Sequence, residues 1–553
     1  MRNADVAAMF EDIADLLEIA GENQFQVRAY RRAAESVATY MAPVEDATTA
    51  ELRAISGLGP ATVAKVQEFL ATGRVAFLEK LREEYPRGLL ELLRVPGLGP
   101  KKVQLLYRER GISSIEALQE AIAAGELAGL SGFGPKTIAN IESGVRRLGE
   151  MNSQLPLFAA LPVALRVQLA LEAVPNVTCE TTGDVRRGQE SVESLSWVVR
   201  GDTAAAATAF LGLPYIQEVL EQTGDHVTVR MRPGIEATLY LADEAKWGSV
   251  LFRATGPAAH IERAGERGLK DAVYADEEGL YESLGMPWLP PELREDRGEW
   301  DLKDVPRLVQ ISDIKGDLHA HSTWSDGNST IRQMAEAARA RGYSYHVISD
   351  HSRALAMANG LDARRLREQA KEIAEVQADF PDVKLFRGIE CDIMRDGTLD
   401  LEDDILYELD FVIGSVHSAF NLGESLQTER MVKAISHPAI DMIAHPTGRI
   451  VGARPAYEVD VAALIAAARE YDTALEINAS ERLDLNDVNA KMARDAGVLI
   501  SIDTDAHSTR MLDNLVLGIL TARRAWCEPQ HILNTKTTEE LITWLNRPAS
   551  QPR

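Results

Sequence analysis

Nine residues able to bind a metal, His319, His321, Asp326, His351, Glu390, His417, His445, Asp505 and His507, follow one another down the C-terminal part of the chain, and six of the eleven histidines belong to that set. The series opens with Asp317-Leu318-His319-Ala320-His321. Alternate residues of a strand share a face, so one strand can aim both imidazoles at one cation. The later donors sit in matching settings, each behind a short apolar run: Ser349-Asp350-His351, Gly388-Ile389-Glu390, Gly414-Ser415-Val416-His417, Ala444-His445-Pro446-Thr447-Gly448-Arg449 and Thr504-Asp505-Ala506-His507. Repeated delivery of donors by strand ends predicts a barrel with its site at one mouth. A lone histidine is ordinarily a satisfied core or surface residue, whereas a series at successive strand ends calls for a shared metal centre. Imidazoles and carboxylates without thiolates suit Mn, Zn or Fe better than Ca or a cysteine-bound zinc.

The segments Asp317–Gly327, Ser349–Ser352, Gly388–Ile393, Ser415–Ser418, His445–Arg449, Glu476–Ala479 and Thr504–Ser508 resemble the successive motifs of the polymerase and histidinol phosphatase (PHP) domain. The resemblance implies a distorted, TIM-like α/β barrel holding up to three ions, Mn2+ or Zn2+ with Mg2+ as an alternative, and all nine ligand positions are filled. It also implies phosphoester hydrolysis. Clustered cations neutralise phosphate oxygens, lower the pKa of a bridging water and stabilise the leaving oxyanion. Arg449 is placed to pair with a phosphate oxygen, though a structural ion pair is the other reading. Asp350 is expected to orient His351 rather than bind metal.

Three Gly-x-Gly-Pro turns recur upstream, at Gly57-Leu58-Gly59-Pro60, Gly97-Leu98-Gly99-Pro100 and Gly132-Phe133-Gly134-Pro135. Each has an apolar residue before it and an amphipathic helical pattern after it, the signature of a helix-hairpin-helix unit. Such glycines admit a nucleic-acid phosphate close to the backbone, where N–H groups at the next helix start donate without reading bases. Lys101, Lys102 and Lys136 follow directly. One such turn is commonly a plain helix cap, but three of one pattern point to DNA. Charge does not forbid it: residues 1–150 hold 18 Lys and Arg against 21 Asp and Glu, a net of −3, which leaves −22 of the chain's −25 for the remainder. Binding should be local and salt-sensitive.

The first 300 or so residues resemble the family X DNA polymerases. Gln24–Ala34 is similar to the opening of that family's small N-terminal domain, and Ile55–Gly73 to its first hairpin and following helix. Lys65 falls where members with deoxyribose-phosphate lyase activity carry a Schiff-base lysine; a solvated lysine touching phosphate is the competing reading. Thr182–Glu190 resembles the signature Gly-Ser-x-Arg-Arg-Gly-x-Glu, with Asp184 in place of the serine. The family's three metal-binding aspartates are replaced by Ser194, Ser196 and Thr238. Neutral hydroxyls are far weaker ligands for hard cations than carboxylates, so nucleotidyl transfer should be nearly lost. Glu190, Glu193, Glu236, Asp243 and Glu244 are candidate substitutes. The thumb departs as well, with Arg253-Ala254 where the family has Tyr-Phe, while Gly285–Gly298 keeps the family pattern.

The expected architecture is multidomain: a lyase-like helical domain with the first hairpin (1–85), a fingers-like helix-hairpin-helix domain (86–150), an α+β nucleotidyltransferase palm (151–243), a thumb (244–299), a linker (300–313) and the PHP barrel (314–553), with residues 547–553 a frayed tail. Cys179, Cys391 and Cys527 are far apart and form no Cys-x-x-Cys, which fits a reducing compartment. No signal peptide and no membrane span is expected. The implied function is a Mn2+-dependent 3′→5′ exonuclease of DNA repair, a cytoplasmic, nucleoid-associated monomer acting on gapped, nicked or 3′-ended duplex. Two alternatives stand beside it: a gap-filling polymerase working through substitute carboxylates, and a non-catalytic DNA adaptor. A small-phosphate hydrolase leaves three hairpins without purpose.

Overall fold

The computed structural model describes every residue except 1, 39–43, 45, 46, 56, 87, 94, 96, 153, 233, 270, 271, 356, 357 and 548–553. Most of the expected tail lies outside the described residues. The chain divides into two compact units, Met1–Ser153 and Gln154–Arg553.

The first unit is helical and has two apolar clusters, one built mainly from Val6–Leu81 and one mainly from Leu89–Val145. Gly57, Gly97 and Gly132 take φ of 91°, 90° and 82°, left-handed values that a side chain resists. Gly59 and Gly99 then cap the helices Pro60–Thr72 and Pro100–Arg110, each with proline at its first turn. A Cβ at Gly59, Gly99 or Gly134 would meet nothing within 4 Å, so the backbone there is open to a ligand.

The second unit begins with a five-stranded sheet: β1 (Val177–Thr181), β2 (Ser194–Gly201), β3 (Ile216–Gln222), β4 (His226–Met231) and β5 (Ile235–Leu241), in the order β1-β2-β5-β4-β3. Strands β2 and β5 run parallel, with Ser194 opposite Glu236 and Ser196 opposite Thr238, so the three replaced positions are neighbours.

A ring of seven parallel strands follows in chain order: β6 (Gly316–Asp317), β7 (Tyr345–Ile348), β8 (Lys384–Asp392), β9 (Phe411–Ser415), β10 (Met442–Ile443), β11 (Ala474–Asn478) and β12 (Ile500–Asp503). An Ala320–Ala506 bridge ties the segments just past the first and last strands, with the His321 amide donating to the Ala506 carbonyl at 2.9 Å. Crossover helices between strands start on side-chain caps such as Thr330, Asp362 and Asp460. Successive strand residues serve opposite faces. Ile389, Cys391, Leu475, Ile477, Ile500 and Ile502 join the cluster packed by the helices. Phe386, Phe411, Ile413, Met442 and Ala474 form a second cluster, floored by Leu533 and Leu541 of the C-terminal segment. Along the same inward rows the residue type then changes from apolar to acidic, from Phe386 to Glu390 and from Ala474 to Glu476. Gly388 leaves that row empty where a Cβ would lie 2.4 Å from Val347.

The palm and the barrel are not beads on a linker. Val451, Leu483 and Leu517 of the barrel belong to the palm's own apolar cluster, and Arg524, almost fully buried, bridges Glu295 and Asp487 while donating to the Arg187 carbonyl.

Candidate metal centre

Glu390, at the end of β8, is the hub of the barrel mouth. Its Oε2 lies 2.7 Å from His351 Nδ1, 3.5 Å from His319 Nε2 and 3.6 Å from His321 Nε2; its Oε1 lies 3.0 Å from His445 Nε2 and 3.2 Å from His417 Nε2. Asp505 Oδ1 stands 3.0 Å from His321 Nε2 and 3.6 Å from His319 Nε2. Asp326 reaches His507 at 3.3 Å and His351 at 3.4 Å. All nine donors thus converge. Three groups within them bring their ligand atoms close enough to share an ion: His321, Asp326, His351 and His507; His319, His321 and Glu390; and His351, Glu390 and His417. Every such group among the described residues is in the barrel.

The donor set fits cations. His319 Nε2, His321 Nδ1 and His445 Nδ1 are buried without a hydrogen-bond partner, and the close approach of His351 Nδ1 to Glu390 Oε2 lacks hydrogen-bond geometry, an arrangement that is costly unless something else satisfies these atoms. His445 and Asp505 also hold φ of 30° and 50°, sparsely populated values for such residues, and both lie at this mouth. Burial and the neighbouring His507 and His351 push the His321 pKa down to about 3, while burial and Arg482 push His445 down to about 4, so both stay neutral imidazoles. Burial opposes charge on His417 and His507 too, but Glu390 and Asp326 respectively lift them to about 9. Glu390 is held well below the carboxylate range against its burial by His351, His417 and His319.

Several supporting residues lie in segments that the sequence reading matched to PHP motifs without giving them a role. Glu476 is fully buried and its Oε1 takes the His319 Nδ1 contact at 2.7 Å; it follows Ala474-Leu475 as the other donors follow their apolar runs, so the same pattern points to it. Asp392 faces His417 Nδ1 at 3.2 Å, two residues beyond Glu390 on the same face. Asn478 donates to Asp505 at 3.2 Å. Asp350 differs from expectation: rather than orienting His351, its carboxylate accepts from the Ser322 amide at 2.8 Å, the Ser322 hydroxyl at 2.6 Å, the Ser325 hydroxyl and Gln369 at 2.6 Å. It therefore shapes the turn that presents Asp326. Arg449 likewise takes the structural alternative: its guanidinium donates to both oxygens of Glu190 in the palm, at 3.0 and 2.6 Å.

In the palm the Ser196 hydroxyl meets that of Thr182 at 2.7 Å, Thr238 meets Thr228 at 3.0 Å, and Ser194 is exposed. The candidate substitute carboxylates are engaged elsewhere: Glu193 with Gln154, Glu236 with Arg230, Asp243 with Lys246 and Glu244 with Arg200. Asp184 holds Arg187. In the helical unit, Lys65 Nζ sits 4.9 Å from the Phe77 ring centroid and 5.6 Å from that of Tyr30. Lys102 donates to the Gly97 carbonyl, Lys101 and Lys136 are exposed, and a groove is lined by Lys101, Lys102, Gln104, Leu105, Arg108, Glu109 and Ser131.

Over 99% of its length this chain is 36% identical to the DNA polymerase/3′-5′ exonuclease PolX of Bacillus subtilis (strain 168), all of which is covered. The chain belongs to the family X DNA polymerases. Residues 317–480 match the PHP domain, residues 1–75 a helix-hairpin-helix domain and residues 89–146 a SAM-like helix-hairpin-helix tandem. The barrel alone resembles smaller proteins: a probable phosphatase of Shewanella sediminis (strain HAW-EB3) is 30% identical over 42% of this chain and 93% of its own length, and one of Thermoanaerobacter sp. (strain X514) is 29% identical over 40% and 89%. This family X chain therefore joins DNA-binding hairpins to a PHP domain. Among its described residues no helix is long and apolar enough to cross a membrane.

Proposed function

We propose that this family X member is a metal-dependent 3′→5′ exonuclease of DNA repair, with hydrolysis in the barrel, hairpins that grip gapped, nicked or 3′-ended duplex, and a palm that no longer transfers nucleotides. One asymmetry carries the reading: nine donors, with Glu390 at their hub, converge at the barrel mouth, while Ser194, Ser196 and Thr238 occupy the palm's three carboxylate positions. Mn2+ or Zn2+ bound there supplies charge to neutralise phosphate oxygens, acidify a water and stabilise the departing oxyanion. The chain's own residues prepare the site. Glu476 accepts the Nδ1 hydrogen bond of His319 and so leaves Nε2 as its ligand atom. Asp350 fixes the Ser322–Ser325 turn, and the apolar floor below Glu390 and Glu476 keeps the base of the site dry. The reading includes a monomer acting on the nucleoid.

Metal removal tests it. Treatment with EDTA should stop the shortening of a 5′-labelled strand, and added Mn2+ should restore it. Mn2+ at a hundred times its dissociation constant should also stabilise the protein by about 2.7 kcal/mol, read as a rise in Tm. Shortening that resists the chelator would place hydrolysis outside this cluster.

A further inference from the structure

The occupation of Arg449 by the palm leaves open which cation meets the substrate phosphate. Arg449 has four of its five donors engaged: besides the two bonds to Glu190, its Nε donates to the Arg482 carbonyl at 3.1 Å and its Nη2 to the Leu483 carbonyl at 2.5 Å. Both carbonyls belong to one loop, residues 480–485, between β11 and the helix Asp487–Asp495. The loop is tied at other points as well. The Val451 amide donates to the Glu481 carbonyl at 3.0 Å, and the side chains of Leu483 and Val451 are both packed in the palm's cluster. At its start, the Ser480 amide donates to Asn478, which itself donates to Asp505.

Arg482 projects from this loop toward the metal centre. Its Nε is 3.8 Å from Asp505 Oδ2, its charge is felt at His445, and its side chain is 19% exposed. Among the described residues its guanidinium makes no hydrogen bond; the 3.8 Å contact is too long for one. A partly open guanidinium with unspent donors beside a ligand of a phosphodiester-cleaving centre matches the fork geometry of a non-bridging phosphate pair.

We infer that Arg482 contacts the scissile phosphate and that Glu190 of the palm is its positioning residue, acting through Arg449 on the 480–485 loop. The inference rests on the hydrolytic reading above. It gives the palm a task that needs none of its lost carboxylates: the last residue of its nucleotide-site signature braces the loop of another active site.

The test is steady-state hydrolysis of a 5′-labelled oligonucleotide and of bis(p-nitrophenyl) phosphate, a small diester that needs no DNA grip, by the full-length protein with Mn2+ and with its bound metal quantified. Arg482→Ala should lower kcat on both substrates by about 10²-fold, the scale of losing one preorganised transition-state donor, at unchanged metal content. Arg482→Lys should recover part of that loss. Glu190→Gln should lower kcat by about 10-fold, the low end for a residue acting through a neighbour, with KM for DNA unchanged. Wild-type rates in Arg482→Ala, or a loss that tracks missing metal, would overturn the inference. A slow Arg482→Ala beside a Glu190→Gln with wild-type kcat would overturn the bracing role. Wild-type protein that hydrolyses neither substrate would instead defeat the hydrolytic reading itself.

Discussion

The His319→Ala variant should lose both bound metal and the shortening of DNA, by more than the roughly 100-fold that loss of a supporting partner can cost. His319 is the residue through which three carboxylates meet: its Nε2 faces Glu390 at 3.5 Å and Asp505 at 3.6 Å, and its Nδ1 holds Glu476 at 2.7 Å. Deleting the ring removes one donor and leaves Glu476 buried without that partner. Glu476→Gln is the matched control. It retains the ring and a hydrogen-bonding group but weakens the bond that orients it, so its loss should stay within about 10–100-fold. Bound metal counted by mass spectrometry beside the rate of strand shortening distinguishes the two effects. A His319→Ala protein that holds its full complement of metal and cuts at the wild-type rate would remove the ring from the site.

The second large effect concerns stability. Arg524→Met should cost about 3–5 kcal/mol, the range for breaking a buried charge pair from one side. Arg524 Nη1 meets Glu295 at 2.8 Å and the Arg187 carbonyl at 3.0 Å, and its Nη2 meets Asp487 at 2.9 Å. Methionine fills much of the volume but leaves two nearly buried carboxylates unpaired on that side. Burial raises the pKa of Asp487, yet Arg524 and Arg297 outweigh it and hold the group below its usual value. A depressed carboxylate adds stability that is complete above its unfolded pKa and disappears as pH falls through the folded one. The gap between wild type and Arg524→Met should therefore be full at pH 7 and close as pH drops below about 4. Urea midpoints at both pH values measure it. A difference that persists unchanged in acid would mean that packing, not charge, holds this joint.

Much of the metal centre is legible in the sequence because a strand's period of two converts spacing into direction: apolar residues fill the row below, and the next inward position carries the donor. The hairpins are legible for a local reason as well, since a left-handed glycine followed by Gly-Pro leaves the chain few alternatives. What stays hidden depends on distant partners. Glu190 and Arg449 are 259 residues apart, and nothing in either neighbourhood announces the other. Arg449, met alone beside His445, reads as well as a phosphate ligand as it does as an ion pair. Arg482 carries no motif, and its place beside Asp505 follows from a loop whose path is set by Leu483 entering the palm's core. How palm and barrel are joined is hidden for the same reason: the residues that join them are scattered singly through each segment. Asp350 next to His351 invites a partnership that the backbone denies, because the carboxylate turns to the Ser322–Ser325 turn instead.

The most direct measurement of the central claim uses a 5′-labelled primer on a gapped template with Mn2+, in the presence and absence of all four nucleotides. A barrel nuclease on a palm without its carboxylates yields a ladder of shorter products in both reactions and no product longer than the primer. Template-dependent lengthening when nucleotides are added would contradict the account and send the search back to the carboxylates around Ser194, Ser196 and Thr238.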